Sequence, residues 1–327
     1  MKGKKASKLR AVGAKAVANR GRVMAEEVLE FRRAQLKKRA KAIRRLEQGA
    51  VPAKASMTVR GRAPARTSVW DVLGAATSAG ILMAEGDSWF DYPFHDVLRL
   101  LEDEHAYDVE SVAHKGDRVE DMAFSAGQLE EFSRRLEKLL RDGKVPKAIL
   151  LSGGGNDIAG DEFGMLLNHA RSPIAGVNED ILRGVIDQRV NTAYRFIISA
   201  ITTICQQYIG NAVPILTHGY DYPVPDGRGF LGGWGPLPGP WLEPGFREKG
   251  YADRAVNIKT MHGIIDRFNE MLTSVATAFP HVTYINLRGT LSVARNYKTY
   301  WANELHPTER GFRLVADKFA KVVDALP

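Results

Sequence analysis

The feature that most constrains the fold is an alternation of short apolar runs with longer stretches of helical periodicity. The apolar runs lie at residues 80–84, 107–113, 147–152, 213–218 and 281–287. The helical stretches lie at residues 93–105, 126–142, 179–208, 253–279 and 307–326. Strands that alternate with helices predict a three-layer α/β/α domain, doubly wound around a five-stranded, mostly parallel sheet. In such folds the ligand site lies beyond the carboxyl ends of the strands.

Charge divides the chain near residue 66. Residues 1–66 hold 20 Lys and Arg against 4 Asp and Glu, a net charge of +16, whereas the remainder holds 26 against 34, a net charge of −8. We therefore predict a basic N-terminal extension over residues 1–66 and a catalytic domain over residues 67–327. Residues 23–47 contain neither Gly nor Pro and predict a helix, followed by a linker. The extension is suited to nucleic acid, an acidic lipid or an acidic protein, and a solvated extension without a partner is the alternative.

Several classes of protein are disfavoured by the sequence. No run of eighteen apolar residues is present, and no apolar segment follows the basic N-terminal residues, so we expect a cytoplasmic protein without a transmembrane segment. The eight histidines show no metal-binding spacing such as HExxH, and no metal is predicted. The stretch GGGND lacks the lysine of a phosphate-binding loop, which makes phosphate binding a poor interpretation.

Residues suited to acyl transfer follow the predicted strands. GDSW follows the first run, HKGD the second and GGGND the third, and a histidine precedes the closing helix. Acyl transfer needs a nucleophile, a base and donors for the oxygen that becomes negative. Ser88 is the candidate nucleophile and His306 the candidate base. The candidate donors are the backbone amides of Ser88 and Gly116 and the side-chain amide of Asn156. Ser88 alone would more simply be a turn residue, but these neighbours favour chemistry.

Taken together, these blocks resemble the SGNH hydrolases of the GDSL family. The family pattern has a GDS block, a glycine-bearing block, a GxND block and a closing DxxH block, and the chain has a counterpart of each in this order over roughly residues 78–326. The resemblance implies a flavodoxin-like fold, ester hydrolysis through an acyl-Ser88 intermediate and an oxyanion hole made by Ser88, Gly116 and Asn156. It implies no metal and no organic cofactor. Small-molecule, lipid and carbohydrate esters all remain open as substrates.

The closing block departs from the family pattern at residue 303. The family has Asp three residues before the histidine, whereas this chain has Asn303, which offers His306 a neutral carbonyl or the wrong end of its amide. We expect Ser88 and His306 to act as a pair, with the imidazole oriented by Asn303 or by a backbone carbonyl. Glu304 is the nearest other carboxylate, but its side chain should point away. The alternative is a non-catalytic binding protein on the same scaffold, with the basic extension as its working part.

Aromatic residues near the predicted strand ends are candidates for substrate contact. Residues 218–246 are rich in Gly, Pro and aromatic side chains, which predicts a long loop that forms a wall or lid of the pocket. Packing of these aromatic side chains onto the domain is the alternative. The candidate substrate-binding residues are Trp89, Tyr92, His218, Tyr222, Trp234 and Trp241.

Overall fold

The structure, a computed structural model, describes residues 34–46, 48, 78–125, 127–233 and 237–326. The chain forms two compact units, of which one comprises Gly80–Glu102 and Tyr107–Pro327 and contains the sheet. In the other unit, residues 34–46 are helical, within the helix predicted over residues 23–47. The first part of that predicted helix, most of the linker and the predicted boundary at residues 66 and 67 lie outside the described residues.

A five-stranded parallel sheet with helices confirms the predicted fold class. The strands in chain order are β1 (Ile81–Glu85), β2 (Asp108–Ser111), β3 (Ala148–Leu151), β4 (Leu167–Asn168), β5 (Gly176–Val177), β6 (Ile215–His218) and β7 (Val282–Ile285). The main sheet has the order β2-β1-β3-β6-β7, and every neighbouring pair in it is parallel. The two-residue strands β4 and β5 form a separate antiparallel pair, which the sequence did not predict.

The central strands are buried on both faces, as the continuous apolar runs predicted. All four residues of β3 and all four of β6 are buried. Burial on both faces is typical of parallel sheets that are covered by helices on each side. The residues of these strands therefore do not alternate between buried and exposed, as they would in a strand with one face in solvent. In the register of the sheet, Leu151 pairs with Glu85 on one side and with Thr217 on the other. The carboxyl ends of β1, β3 and β6 therefore lie side by side.

Each of the five predicted helical stretches contains a helix, and three further short helices in the described residues were not predicted. The helices are α1 (Val97–His105), α2 (Val119–Phe124), α3 (Gln128–Arg141), α4 (Gly155–Ile158), α5 (Glu179–Arg183), α6 (Asn191–Ile209), α7 (Glu243–Glu248), α8 (Arg254–Thr277) and α9 (Glu309–Asp324). A π-helical segment, Gly184–Val190, joins α5 to α6, and 3-10 turns occur at Phe163–Leu166, Phe230–Gly232 and Tyr297–Thr299. None of the helices in the described part of the chain combines the length and apolar character needed to cross a bilayer.

The closing helix shows how local sequence sets an element boundary. The Thr308 side chain accepts a hydrogen bond from the Gly311 backbone amide at 3.2 Å and caps the N-terminus of α9. Pro307 therefore precedes the cap, so the helix begins two residues later than the sequence predicted. This boundary leaves the preceding turn, which contains His306, at the edge of the sheet where β1 and β3 end.

Candidate active site

Ser88 lies in the tight turn that follows β1. Gly86 is required at this turn, because a Cβ there would lie 2.7 Å from the Cβ of Ser152. The next residue, Asp87, is buried, and its carboxylate accepts hydrogen bonds from the hydroxyl groups of Ser152, at 2.7 Å, and Tyr220. Asp87 thus holds the turn in place through its partners beneath it. The Ser88 hydroxyl faces the opposite way, toward His306.

His306 approaches Ser88 from the turn before α9. Its Nε2 lies 2.7 Å from the Ser88 Oγ, although the two residues are 218 positions apart in the chain. The imidazole is buried, and burial lowers the pKa of His306 to about 3, because the charged form loses its solvation. His306 is therefore neutral near pH 7, as a base must be before it takes a proton.

Asn303 contacts the other nitrogen of the His306 ring. The Asn303 Oδ1 lies 3.0 Å from Nδ1 of His306 and also accepts hydrogen bonds from the backbone amides of Leu305, at 3.0 Å, and His306, at 2.8 Å. The Asn303 Nδ2 donates to the Tyr92 hydroxyl at 3.0 Å. The Tyr92 ring stacks on the imidazole, with 4.3 Å between ring centroids. Two backbone donors on Oδ1 and an acceptor at Nδ2 fix the orientation of the amide.

This orientation determines the tautomer of His306. Because the Asn303 Oδ1 can only accept, the single hydrogen of the neutral ring lies on Nδ1. The Nε2 lone pair then faces the Ser88 hydroxyl, which donates to it. An Asn that presented its NH2 group to Nδ1 would impose the opposite tautomer and deprive Ser88 of its base. The carbonyl arrangement, which the sequence left open, is the one that the structure shows.

The three residues predicted to supply oxyanion donors, Ser88, Gly116 and Asn156, line one cavity together with His306. Gly116 has a φ of +92°, a left-handed conformation that favours glycine. Among the described residues, the backbone amides of Ser88 and Gly116 donate no backbone hydrogen bond. The Asn156 Nδ2 donates one hydrogen to the Asp117 carbonyl at 2.9 Å, and its second hydrogen is available. The side-chain amide of Asn156 therefore keeps a donor free on the wall of the cavity that Ser88 and Gly116 also line.

Two cavities meet at Ser88. The larger has a volume of about 460 Å³. It is lined by Ser88, Tyr92, Pro93, Lys115, Gly116, Asn156, Phe230, Leu237, Pro238, Trp241 and His306. The smaller has a volume of about 40 Å³. It is lined by Asp87, Ser88, Trp89, Gly155, Asn156, Ile158, Ala159, Tyr220, Asp221, Pro223, Leu242, Met261, Ile265, Trp301 and Leu305.

The sequence-predicted substrate residues fall into two groups. Trp89 lines the smaller cavity, and Tyr92 and Trp241 line the larger one. His218 lines neither cavity, because it is fully buried, with its Nε2 2.8 Å from the Ser152 Oγ.

Tyr222 does not line either cavity. Its hydroxyl donates to Asp266 at 2.7 Å, and its ring stacks on His262. Trp234 lies outside the described residues. The positions of His218 and Tyr222 therefore do not place them against a ligand, and their strand-end location in the sequence gave no indication of this.

Glu304 helps to shape the site, a role that was not predicted from the sequence. The side chain is fully buried, and its carboxylate accepts hydrogen bonds from the backbone amides of Gly227, Trp241, Leu242 and Glu243 at 2.7–3.1 Å. Burial raises the pKa of Glu304, and these four amides oppose that rise. The expectation that this carboxylate points away from His306 agrees with these bonds. Glu304 anchors both ends of the Gly- and Pro-rich loop that forms part of the larger cavity.

The apolar wall of the smaller cavity was also not predicted. Met261 and Ile265 contribute to it from α8, where they are one turn apart on a buried face. In the sequence these residues look like ordinary core positions of an amphipathic helix, so no local signal distinguishes them. As for metal binding, the described residues include no group of three or more His, Cys, Asp or Glu side chains placed to hold an ion.

Comparison with models of known protein families identifies the family of this chain. The model of the GDSL-like lipase/acylhydrolase family matches residues 82–314, well over half of the chain. The chain belongs to this family and is an ester hydrolase of the GDSL type. The match spans the turn of Ser88 and the turn of His306. A comparison with curated protein sequences found no match.

Solved structures that are similar to this chain include those of hydrolases. An acetylxylan esterase from Geobacillus stearothermophilus is 14% identical, with a TM-score of 0.41 over 75% of this chain and 94% of that one. An alpha/beta hydrolase from the metagenome of Lake Arreo, Spain, is 13% identical, with a TM-score of 0.41 over 76% and 97% of the two chains. The psychrotrophic esterase EstA from Pseudoalteromonas sp. is 14% identical, with a TM-score of 0.40 over 75% and 97%. At this similarity the substrates of those enzymes do not transfer to this chain.

Proposed function

We propose that the protein cleaves a carboxylic ester through an acyl-Ser88 intermediate, with His306 as the general base. The observation that carries this proposal is the 2.7 Å contact between the His306 Nε2 and the Ser88 Oγ, combined with the Asn303 carbonyl on Nδ1. A nucleophile that contacts a base, which in turn contacts an orienting group, is the arrangement that activates a serine.

Acylation begins when the Ser88 Oγ attacks the carbonyl carbon of the ester and gives its proton to the His306 Nε2. The carbonyl oxygen becomes negative and accepts hydrogen bonds from the amides of Ser88 and Gly116 and from Asn156. The tetrahedral intermediate then breaks its bond to the alcohol oxygen, which takes the proton from Nε2 and leaves as the free alcohol. The acyl group stays on Ser88 as an ester.

Deacylation repeats these steps with water as the nucleophile. His306 takes a proton from the water molecule, which attacks the acyl carbon, and the Ser88 oxygen receives that proton as it leaves. In each step the imidazole carries a positive charge for a time. Asn303 stabilises that charge with a neutral carbonyl, whereas Asp would use a full negative charge, so we expect a working enzyme with modest turnover.

Labelling with a fluorophosphonate probe tests the proposal, because the probe reacts with an activated serine whatever the natural substrate is. We expect the wild type to be labelled on Ser88 and to hydrolyse a short-chain aryl ester. Ser88→Ala and His306→Ala should each abolish both, and the double variant should be no worse than either one, because the two residues act as a unit. Substantial hydrolysis by a well-folded Ser88→Ala variant would exclude the assignment.

For the basic extension we propose a polyanionic partner, such as nucleic acid, an acidic lipid or an acidic protein. The support is the division of charge, +16 over residues 1–66 against −8 over the rest. A binding role for this segment is compatible with esterase activity, since the acyl-transfer residues lie between residues 88 and 306. Salt dependence is the physical signature of such an interaction.

A further inference from the structure

We infer that the site is selective for esters that join a short acyl group to a bulky alcohol, with the acyl group in the smaller cavity and the alcohol in the larger one. The inference rests on the proposed role of Ser88 and adds the substrate class to it. Its basis is that the two cavities meet at Ser88 but differ in size and in their relation to His306.

The position of His306 decides which cavity receives which half of the ester. The leaving alcohol must take its proton from the Nε2 of His306, so the alcohol oxygen has to be within hydrogen-bond distance of that nitrogen. His306 lines the larger cavity and is absent from the walls of the smaller one. The alcohol therefore extends into the larger cavity. The acyl chain, on the other side of the carbonyl carbon, extends into the smaller one.

The volume of the smaller cavity limits the acyl chain. Its space of about 40 Å³ is on the order of three water-sized groups. With the carbonyl carbon at Ser88, this space accommodates acyl groups of about two to four carbons. Its walls are mostly apolar, which suits a hydrocarbon chain and excludes a charged one.

The walls of the smaller cavity cannot easily move to admit a longer chain. Leu242, Met261 and Trp301 are each 2% exposed or less, and they are packed into the domain. Close-packed interiors resist even one added methylene group. We therefore expect a steep decline in rate once the chain exceeds the cavity, and no gradual adaptation of the kind that a surface groove would allow.

The larger cavity is suited to a bulky alcohol. At about 460 Å³ it falls within the range of cavities that hold small-molecule ligands. Aromatic rings of Tyr92, Phe230 and Trp241 line it, and such rings provide broad apolar contact. A small alcohol such as ethanol would leave most of this surface in contact with water.

The acyl half of the inference is tested with p-nitrophenyl esters of increasing chain length and the full-length protein. We expect similar kcat/KM values for acetate, propanoate and butanoate, and a drop of about 10- to 100-fold between butanoate and hexanoate. Met261→Ala enlarges the cavity and should raise the hexanoate-to-acetate ratio of kcat/KM by about 10-fold or more. Ala159→Val fills the cavity and should lower the butanoate-to-acetate ratio, which gives a second reading if Met261→Ala fails to fold.

The matched control variant lies in the other cavity. Phe230→Ala should leave the hexanoate-to-acetate ratio unchanged but raise KM for 2-naphthyl acetate relative to phenyl acetate. Wild-type protein that hydrolyses octanoate as well as acetate, or a chain-length ratio that responds to Phe230→Ala and not to Met261→Ala, would overturn the cavity assignment alone. Absence of hydrolysis for every ester together with absence of fluorophosphonate labelling would overturn the proposed function and this inference with it.

Discussion

Replacement of Asn303 with Asp tests how the site controls His306. In this variant the Oδ1 contacts to the two backbone amides and to the His306 Nδ1 are kept, because a carboxylate oxygen accepts the same bonds. In the wild type the Tyr92 hydroxyl accepts a hydrogen bond from Nδ2 of Asn303. In the variant an oxygen replaces Nδ2, and the Tyr92 hydroxyl can rotate its hydrogen to donate to that oxygen. The structure can therefore satisfy a buried carboxylate at residue 303. We expect turnover to rise.

The size of the increase follows from the charge on the imidazole. A hydrogen bond between neutral groups contributes about 0.5–1.5 kcal/mol and one to a charged group about 1.5–3 kcal/mol. A gain of about 1 to 1.5 kcal/mol in the transition state corresponds to about 5- to 12-fold in kcat. In serine proteases the opposite change costs roughly 10⁴, but part of that loss comes from the wrong tautomer. Here the tautomer is already the productive one, so the gain is far smaller.

The pH profile provides a second measurement on the same variant. Burial lowers the pKa of His306 to about 3 in the wild type, so the base is neutral, and kcat/KM should be flat, from about pH 4 upward. A carboxylate beside Nδ1 favours the imidazolium and raises the pKa of His306. The acid limb of kcat/KM should therefore move to higher pH in Asn303→Asp. Initial rates of p-nitrophenyl acetate hydrolysis between pH 4 and 8 provide this comparison.

Thermal unfolding separates an electrostatic effect from a loss of structure. Asn303 is 2% exposed, so a carboxylate without sufficient partners would lower the melting temperature. Tyr92→Phe in the Asn303→Asp background removes the fourth donor and should be less stable than Asn303→Asp alone. A stable, well-folded Asn303→Asp variant with unchanged turnover and an unchanged acid limb would refute the proposed orienting role of residue 303.

Four further expectations concern other parts of the molecule. Asn156→Ala removes one oxyanion donor and should lower kcat by about 10²–10³ with little change in KM; a large rise in KM at unchanged kcat would reassign Asn156 to substrate binding. Glu304→Gln replaces a carboxylate that accepts four backbone hydrogen bonds with an amide that has one oxygen, which should loosen the loop at residues 227–243. KM for a bulky aryl ester should then rise and limited proteolysis of this loop should accelerate, whereas equal cleavage rates would contradict the anchoring role. Burial raises the pKa of Glu85 to about 8, above its ordinary value, so the contribution of this group to folding stability should be most favourable below about pH 4.5 and decline toward pH 8. The free energy of unfolding, measured in urea, should therefore differ less between pH 5 and pH 8 for Glu85→Gln than for the wild type. Deletion of residues 1–66 should keep esterase activity and weaken heparin binding in a salt-dependent way, whereas equal heparin retention of both proteins would leave the extension without this role.

Much of the fold and part of the site follow from local sequence. The strands at 148–151 and 215–218 could be predicted because short, mostly apolar runs that alternate with helical stretches are typical of buried parallel strands. Parallel strands bring their carboxyl ends to one edge, so Ser88 and Asn156 could be placed near each other without coordinates. His306 could be joined to them because it precedes the closing helix of the same alternating pattern.

The orientation of groups across the site required the tertiary structure. Whether Asn303 presents its oxygen or its nitrogen to His306 depends on Tyr92, which lies 211 residues away, and on two backbone amides whose direction is set by the turn. The strand-end position of His218 suggested that it would contact substrate, but its side chain is buried, with Nε2 2.8 Å from the Ser152 Oγ, because both faces of β6 are covered. Met261 and Ile265 read as core residues of a helix, and they become cavity walls only because α8 packs behind the nucleophile turn. The sequence shows which side chains are available for chemistry. The cavity that these side chains enclose forms only when helices and strands from distant parts of the chain pack together. That packing depends on the shapes of all the side chains involved.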